Sequence, residues 1–327
     1  MLQKKSQRNC IIPQFQSRLF HFTRLIMINI KQIESELGIN YAAAVLQQVD
    51  HPLLVEHSIQ LYIKREDLLH PIISGNKWRK LKYTFLHALT HGHQHFISMG
   101  GPYSNHLHAL AYTGKQLNIK TTGLIRGEQP KQENQTLSDL RKWGMQLEFI
   151  SRGAFRELRK YRTPDAEPAK IYDGFWIPEG GANQDALRGV SEILNETDMD
   201  FDTLALACGT GTTLAGIAKT LPSSKRILGF SALKGGGFLE KDIRKLLRKK
   251  SIHNWSINFD YHFGGFAKSN DELLSFIDDF QSNNNIPLEP VYNGKMLFGV
   301  FDMIKKGSFK KGHKILAIHT GGLQGNR

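Results

Sequence analysis

Lys77, Arg79 and Lys80 lie within Gly75-Asn76-Lys77-Trp78-Arg79-Lys80-Leu81, where a turn runs into what reads as the first turns of a helix. Trp78, Leu81, Phe85 and Leu89 recur at helical spacing and give that helix one apolar face. Cations at a helix N-terminus oppose its partial positive charge, at a cost of about 0.3–1 kcal/mol each. A local rule broken so densely points to function. Two chemistries would use the cluster. The amines could hold an anion such as a phosphate, or one amine could be kept partly neutral by its cationic neighbours, as a Schiff-base lysine must be. A solvated basic face is the plain alternative, and the later motifs weigh against it.

The second cluster is Gly209-Thr210-Gly211-Thr212-Thr213, between the strand-like Thr203–Ala207 and an amphipathic stretch around Leu214–Leu221. Such a loop offers successive backbone N–H groups and hydroxyls to a phosphate. It is neither a Walker A loop nor a dinucleotide fingerprint, so a single cofactor phosphate fits better than a nucleotide. Three more loops carry polar groups at expected strand ends or before a helix: Ser104-Asn105-His106 after Gly100-Gly101-Pro102, Thr320-Gly321-Gly322, and Tyr292-Asn293-Gly294-Lys295. In open parallel sheets ligands bind at the carboxyl ends of strands, so these loops can share one cleft.

The elements that would position them alternate strand and helix. Strands are expected at 57–64, 96–99, 121–125, 147–150, 175–178, 203–207, 227–231, 256–259 and 314–319, with 10–15-residue amphipathic helices between them. Ser104 suits an N-cap, and residues 151–172 read as irregular. The pattern predicts an α/β protein with two open, twisted parallel-sheet domains and a ligand cleft between them. The smaller domain is expected at 80–175, inserted into a larger one made from 27–79 and 176–327.

Composition narrows the class. Apolar content of 40% and charged content of 22% belong to a globular chain, and no apolar run approaches the roughly 20 residues of a membrane span. Cys10 and Cys208 cannot build a disulfide framework, which favours a reducing, cytoplasmic compartment. The formal charge of +13 is not a nucleic-acid signature. Five of those charges fall in the acid-free residues 1–26, and no basic-aromatic repeat, helix-turn-helix or zinc-finger spacing occurs. Residues 1–26 are expected to be a disordered tail or to follow an upstream start. No metal is expected.

Taken in order, Gly75-Asn76-Lys77, Arg79-Lys80-Leu81, Ser104-Asn105-His106, Gly209-Thr210-Gly211, Tyr292 and His319-Thr320-Gly321-Gly322 resemble the 1-aminocyclopropane-1-carboxylate deaminase and D-cysteine desulfhydrase family. The resemblance runs from about residue 35 to the end. It implies a pyridoxal 5′-phosphate enzyme of fold type II, the tryptophan-synthase-β fold, acting on a small amino acid, and a homodimer is expected. It also implies roles. Lys77 would link covalently to the cofactor and later move protons. Lys80 and Gly209, Thr210, Gly211, Thr212 and Thr213 would hold the phosphate. Asn105 would bond the phenolic oxygen and Thr320 would face the pyridine nitrogen. Ser104 would take the substrate carboxylate, with His106 and Tyr292 beside the substrate.

Departures from the family bear on substrate. A ring-opening deaminase would carry Glu after the motif tyrosine, where this chain has Asn293, with Leu at Thr320 and Gln at His106. These positions side with D-cysteine desulfhydrase-like α,β-elimination giving pyruvate, ammonia and sulfide. Ring-opening deamination, or a cofactor-binding protein with little turnover, are the alternatives. The second is motivated by Phe266, where an active-site tyrosine is expected, and Pro102-Tyr103 matches neither branch.

Overall fold

The computed structural model describes residues 29–248 and 252–326. The expectations for residues 1–26 lie outside the described residues. Two sheets organise the rest. The larger runs β1 (Leu46–Gln48), β2 (Gln60–Lys64), β10 (Lys314–Ile318), β7 (Thr203–Cys208), β8 (Arg226–Ser231) and β9 (Trp255–Asn258) in spatial order. The smaller runs β5 (Gln146–Ile150), β4 (Lys120–Arg126), β3 (His95–Gly100) and β6 (Phe175–Ile177). Every pairing is parallel except β1 with β2. The antiparallel β1 escapes a sequence reading because three residues at a sheet edge carry no period.

The central strands are buried on both faces, so they read as continuous apolar runs. β7 is buried at all six positions and is in register with both neighbours, Leu204 opposite Leu316 and Ile227. In the smaller sheet Ile97 lies between Thr122 and Trp176.

The expected helix is Asn76–Thr90, which carries the chain from β2 to β3. Trp78, Leu81 and Phe85 are fully buried in the core that also holds Phe96, Leu107 and Phe175 of the smaller sheet and its helices. Its other side meets the helix Gln184–Asn195, with Gly189 so near that a Cβ there would lie 1.8 Å from the Arg79 carbonyl oxygen. Ser104 caps the helix Asn105–Gln116 by accepting a bond from Leu107 N at 3.2 Å. Residues 151–172 are less irregular than expected. They hold the short helices Arg152–Leu158 and Glu167–Ile171, which bury only Phe155 in the first and Pro168 and Ala169 in the second. So little apolar periodicity leaves no stripe to read.

Candidate active site

The loops after β2, β3, β6, β7 and β10 meet one another: Gly75 lies against Thr320, Gly180 against Thr210, Gly181 against His106 and Asn105 against Gly322, and the space they border is the candidate cleft. The junction with Lys77 is the tightest. Gly75 has φ 62° and ψ −144°, a conformation close to glycine-only space, and a Cβ on it would sit 2.0 Å from the Thr320 carbonyl oxygen. The loop after β2 and the loop after β10 are therefore in backbone contact. Asn76 joins them to the third loop, since its Nδ2 donates to Thr213 Oγ1 at 2.8 Å while its Oδ1 accepts from Lys77 Nζ at 2.6 Å.

The three basic residues of the helix start separate. Lys77 and Lys80, one turn apart, share the cleft-facing side. Arg79 turns away into a fully buried pair with Glu66, Nε and Nη2 each 2.9 Å from a carboxylate oxygen, and it also meets Glu196 at 2.6 and 2.7 Å. Burial, opposed by the charge of Glu289, lowers the Lys77 amine to about 8. Burial and the neighbouring Lys77 lower Lys80 to about 7. Both amines are thus partly neutral near physiological pH.

Opposite them lie the Gly209 loop and Tyr292. A Cβ on Gly209 would come within 3.3 Å of the Tyr292 hydroxyl, so ring and loop are stacked closely. The Thr210 and Thr212 hydroxyls are 2.9 Å apart. Burial, then the charges of Glu289 and Glu179, push the Tyr292 phenol upward and keep it protonated. Phe266 packs edge-on against Tyr292, ring centroids 6.0 Å apart. Its loop is held by the buried Lys295, whose Nζ donates to the carbonyls of His262 and Gly265 at 2.9 and 2.8 Å.

Behind Tyr292 sits Glu289, a buried carboxylate that heads the helix Asn293–Lys305. It accepts from the backbone N–H of Val291 (2.6 Å), Tyr292 (2.9 Å) and Asn293 (2.6 Å), and from Asn293 Nδ2 (3.2 Å). Asn293 is fully buried and does not face the cleft. Its Nδ2 also donates to Gly321 O at 2.7 Å, and its Oδ1 accepts from Thr320 N at 3.1 Å and Thr320 Oγ1 at 3.2 Å.

His106 is likewise turned inward. Ser98 Oγ donates to Ile177 O at 2.8 Å, so it accepts from His106 Nε2 at 2.9 Å, and that nitrogen bears the proton. His106 Nδ1 is then a bare, buried acceptor without a partner among the described residues, 3.6 Å from where a Cβ on Gly181 would be. Burial and the amines of Lys80 and Lys77 push its pKa to about 3, so it is neutral. Asn105 touches the C-terminal segment: its Oδ1 accepts from Gln324 Nε2, and its Nδ2 lies 2.8 Å from a Cβ built on Gly322.

The structure thus gathers Lys77, Lys80, Asn105, Gly209, Thr210, Gly211, Thr212, Thr213, Tyr292 and Thr320 around one cleft, with Ser104 at its edge as a helix cap. His106 borders it but points its bonding nitrogen into the smaller sheet. Glu289, Asn76, Lys295 and Gln324 escaped the sequence reading as site residues. Only Glu289 had a visible signal, an acid just ahead of a helix start. A half-buried amine, Lys77, and a buried one, Lys80, a loop of N–H groups and hydroxyls, and glycines at the points of closest approach make a cradle for a phosphate-bearing aldehyde cofactor. The residues fit such a group.

Comparison with known proteins agrees with that chemistry. The sequence profile described as pyridoxal-phosphate dependent enzyme matches residues 49–321. A Pyrococcus horikoshii protein provisionally named 1-aminocyclopropane-1-carboxylate deaminase is 31% identical over 285 residues, covering 83% of this chain and 86% of its own. An Arabidopsis thaliana protein named bifunctional D-cysteine desulfhydrase/1-aminocyclopropane-1-carboxylate deaminase, mitochondrial, is 31% identical over 81% of this chain and 73% of its own. Among solved structures, an ACC deaminase homologue superposes with TM-score 0.73 at 29% identity, covering 90% of this chain and 95% of its own.

Proposed function

The chain belongs to the pyridoxal-phosphate-dependent enzyme family, and we propose that within it the protein catalyses α,β-elimination from a small amino acid, in the manner of a D-cysteine desulfhydrase. The observation that carries this reading is the pairing of Lys77, an amine held near 8, with Tyr292, a phenol held protonated, in one cleft. Elimination needs a base for the α-proton and an acid for the leaving group, and these two groups supply both.

When bound, the cofactor supplies an electron sink conjugated to the substrate α-carbon. Lys77 would be the residue that holds it, and its Nζ would take the substrate α-proton. Lys80 and the N–H groups of Gly209–Thr213 hold the phosphate. Asn105 would bond the phenolic oxygen, and Ser104, with its hydroxyl proton not needed for capping, would orient the substrate carboxylate. Tyr292 donates to the departing group as the Cβ–S bond breaks and sulfur leaves with the bonding pair. With one water consumed, cysteine yields pyruvate, ammonia and sulfide. His106 stays neutral beside Lys77 and Lys80, with Nε2 held by Ser98 and Nδ1 left as an acceptor. The protein works as a homodimer in the cytoplasm; among the described residues no helix is long and apolar enough to cross a membrane.

A second reading, ring-opening deamination, has one observation in its favour. Asn293 and Thr320 bring no negative charge of their own, yet Glu289 stands one hydrogen bond behind Asn293. The test is to assay purified, cofactor-loaded protein for pyruvate from D-cysteine and for α-ketobutyrate from 1-aminocyclopropane-1-carboxylate, side by side. Pyruvate and sulfide without appreciable α-ketobutyrate support elimination. Efficient α-ketobutyrate with no pyruvate overturns it.

A further inference from the structure

We infer that Glu289, acting through the Asn293 amide and the Thr320 hydroxyl, presents a lone pair to the cofactor's ring nitrogen and so keeps that nitrogen protonated. This rests on the reading that Thr320 faces the ring nitrogen. A hydroxyl can also act the opposite way, donating its proton to the ring nitrogen and leaving that nitrogen unprotonated. The hydrogen bonds around Asn293 decide between the two.

The orientation of the Asn293 amide is set by its partners. Nδ2 lies 3.2 Å from Glu289 Oε1 and 2.7 Å from Gly321 O, both of which can only accept. Oδ1 is therefore the atom facing Thr320, where it takes the backbone N–H at 3.1 Å and the hydroxyl at 3.2 Å. A hydroxyl has one proton. With that proton on Asn293 Oδ1, Thr320 Oγ1 has only lone pairs left for a third party. Asn293 is 0% exposed, so no bulk water can take over the acceptor role and free the proton. Rotating the hydroxyl away would set two oxygen lone pairs against each other at 3.2 Å in a dry site.

The far end of the chain carries the charge. Glu289 receives three backbone N–H groups and one amide N–H, a set that suits a carboxylate and leaves no acceptor for an acid proton. Burial raises its pKa to about 7, while those donors and the Lys77 amine pull the other way. A helix cap would explain the three backbone bonds. It would not explain the side-chain bond to Asn293, nor why Asn293 passes it on to Thr320 and Gly321. Glu289 and Asn293 are positioning residues here, and Thr320 is the group that touches the cofactor.

The test uses holoenzyme reconstituted with cofactor labelled with 15N in the ring and reads the nitrogen resonance directly. The expected wild-type signal lies in the pyridinium range. Thr320→Val, which keeps the shape and loses the hydroxyl, should move it towards the neutral-pyridine range, and Thr320→Ser should restore it. A wild-type signal in the neutral range overturns the inference without any variant, and leaves the site reading standing if the label is attached to Lys77. A pyridinium signal unmoved by Thr320→Val also overturns it, because another group then holds the proton. Failure of the protein to bind labelled cofactor overturns the proposed function and the inference together.

Discussion

Arg79 offers a sharp test, because sequence alone groups it with the catalytic amines and the structure places it in the scaffold. Its guanidinium is fully buried against Glu66, itself 0% exposed, and lies 4.4 Å from the centroid of the Tyr41 ring. The main chain of Glu66 accepts from Gly75 N at 2.8 Å, so the ion pair also anchors the turn before Lys77. Arg79→Met strands the Glu66 carboxylate in the core, while Glu196, one-third exposed, can turn to water. Breaking a buried pair from one side costs about 3–5 kcal/mol. At roughly 2–4 °C per kcal/mol for chains of this general size, Tm should fall by about 6–20 °C. The double variant Arg79→Met/Glu66→Gln should regain more than half of the loss, since the stranded charge is gone. Calorimetry of the three proteins, with cofactor per folded chain read by absorbance, is the assay. A single-variant loss under about 2 °C, or a double variant no better than the single, would refute the reasoning.

Two further outcomes follow from the site geometry. Gly75→Ala adds a Cβ 2.0 Å from the Thr320 carbonyl and forces a non-glycine residue to φ 62°; beyond about 1–3 kcal/mol of backbone strain, cofactor occupancy should drop, and wild-type Tm with wild-type occupancy would contradict the account. The cofactor-free protein should become more stable between pH 7.5 and 9, because Lys77 and Lys295 are held near 8 and Lys80 near 7, below their ordinary 10.5. The unfolded chain binds more protons than the folded one in that window, so stability is lost as pH falls through the folded values and gained as it rises. The thiol of Cys208, raised from 9 to about 12, begins to oppose this in the upper part of the window, one group against three amines. A Tm that is flat or falling across the window would count against the buried amines.

The fold was legible because its central strands are long, apolar and separated by amphipathic helices, as β7 and Asn76–Thr90 illustrate. The loops at the strand ends were legible because glycine, threonine and asparagine cluster there. What stayed hidden is what only three dimensions supply. Asn293, His106 and Thr320 looked alike as substrate-discriminating positions, yet Asn293 and His106 point into the protein. Nothing in a string of letters says which side of a turn an amide faces. Glu289, in contact with Asn293 Nδ2 and within Coulomb range of Lys77, shows in the sequence only as an acid ahead of a helix start, which does not say what it bonds. Gln324 reaches Asn105 across more than two hundred residues of chain.

The central claim is that Lys77 is the residue that carries the cofactor. Borohydride reduction of the loaded protein, followed by proteolysis and peptide mapping, measures this directly. The pyridoxyl group is expected on Lys77 alone. Finding it on Lys80 or Lys82, or finding no modified lysine, would contradict the account.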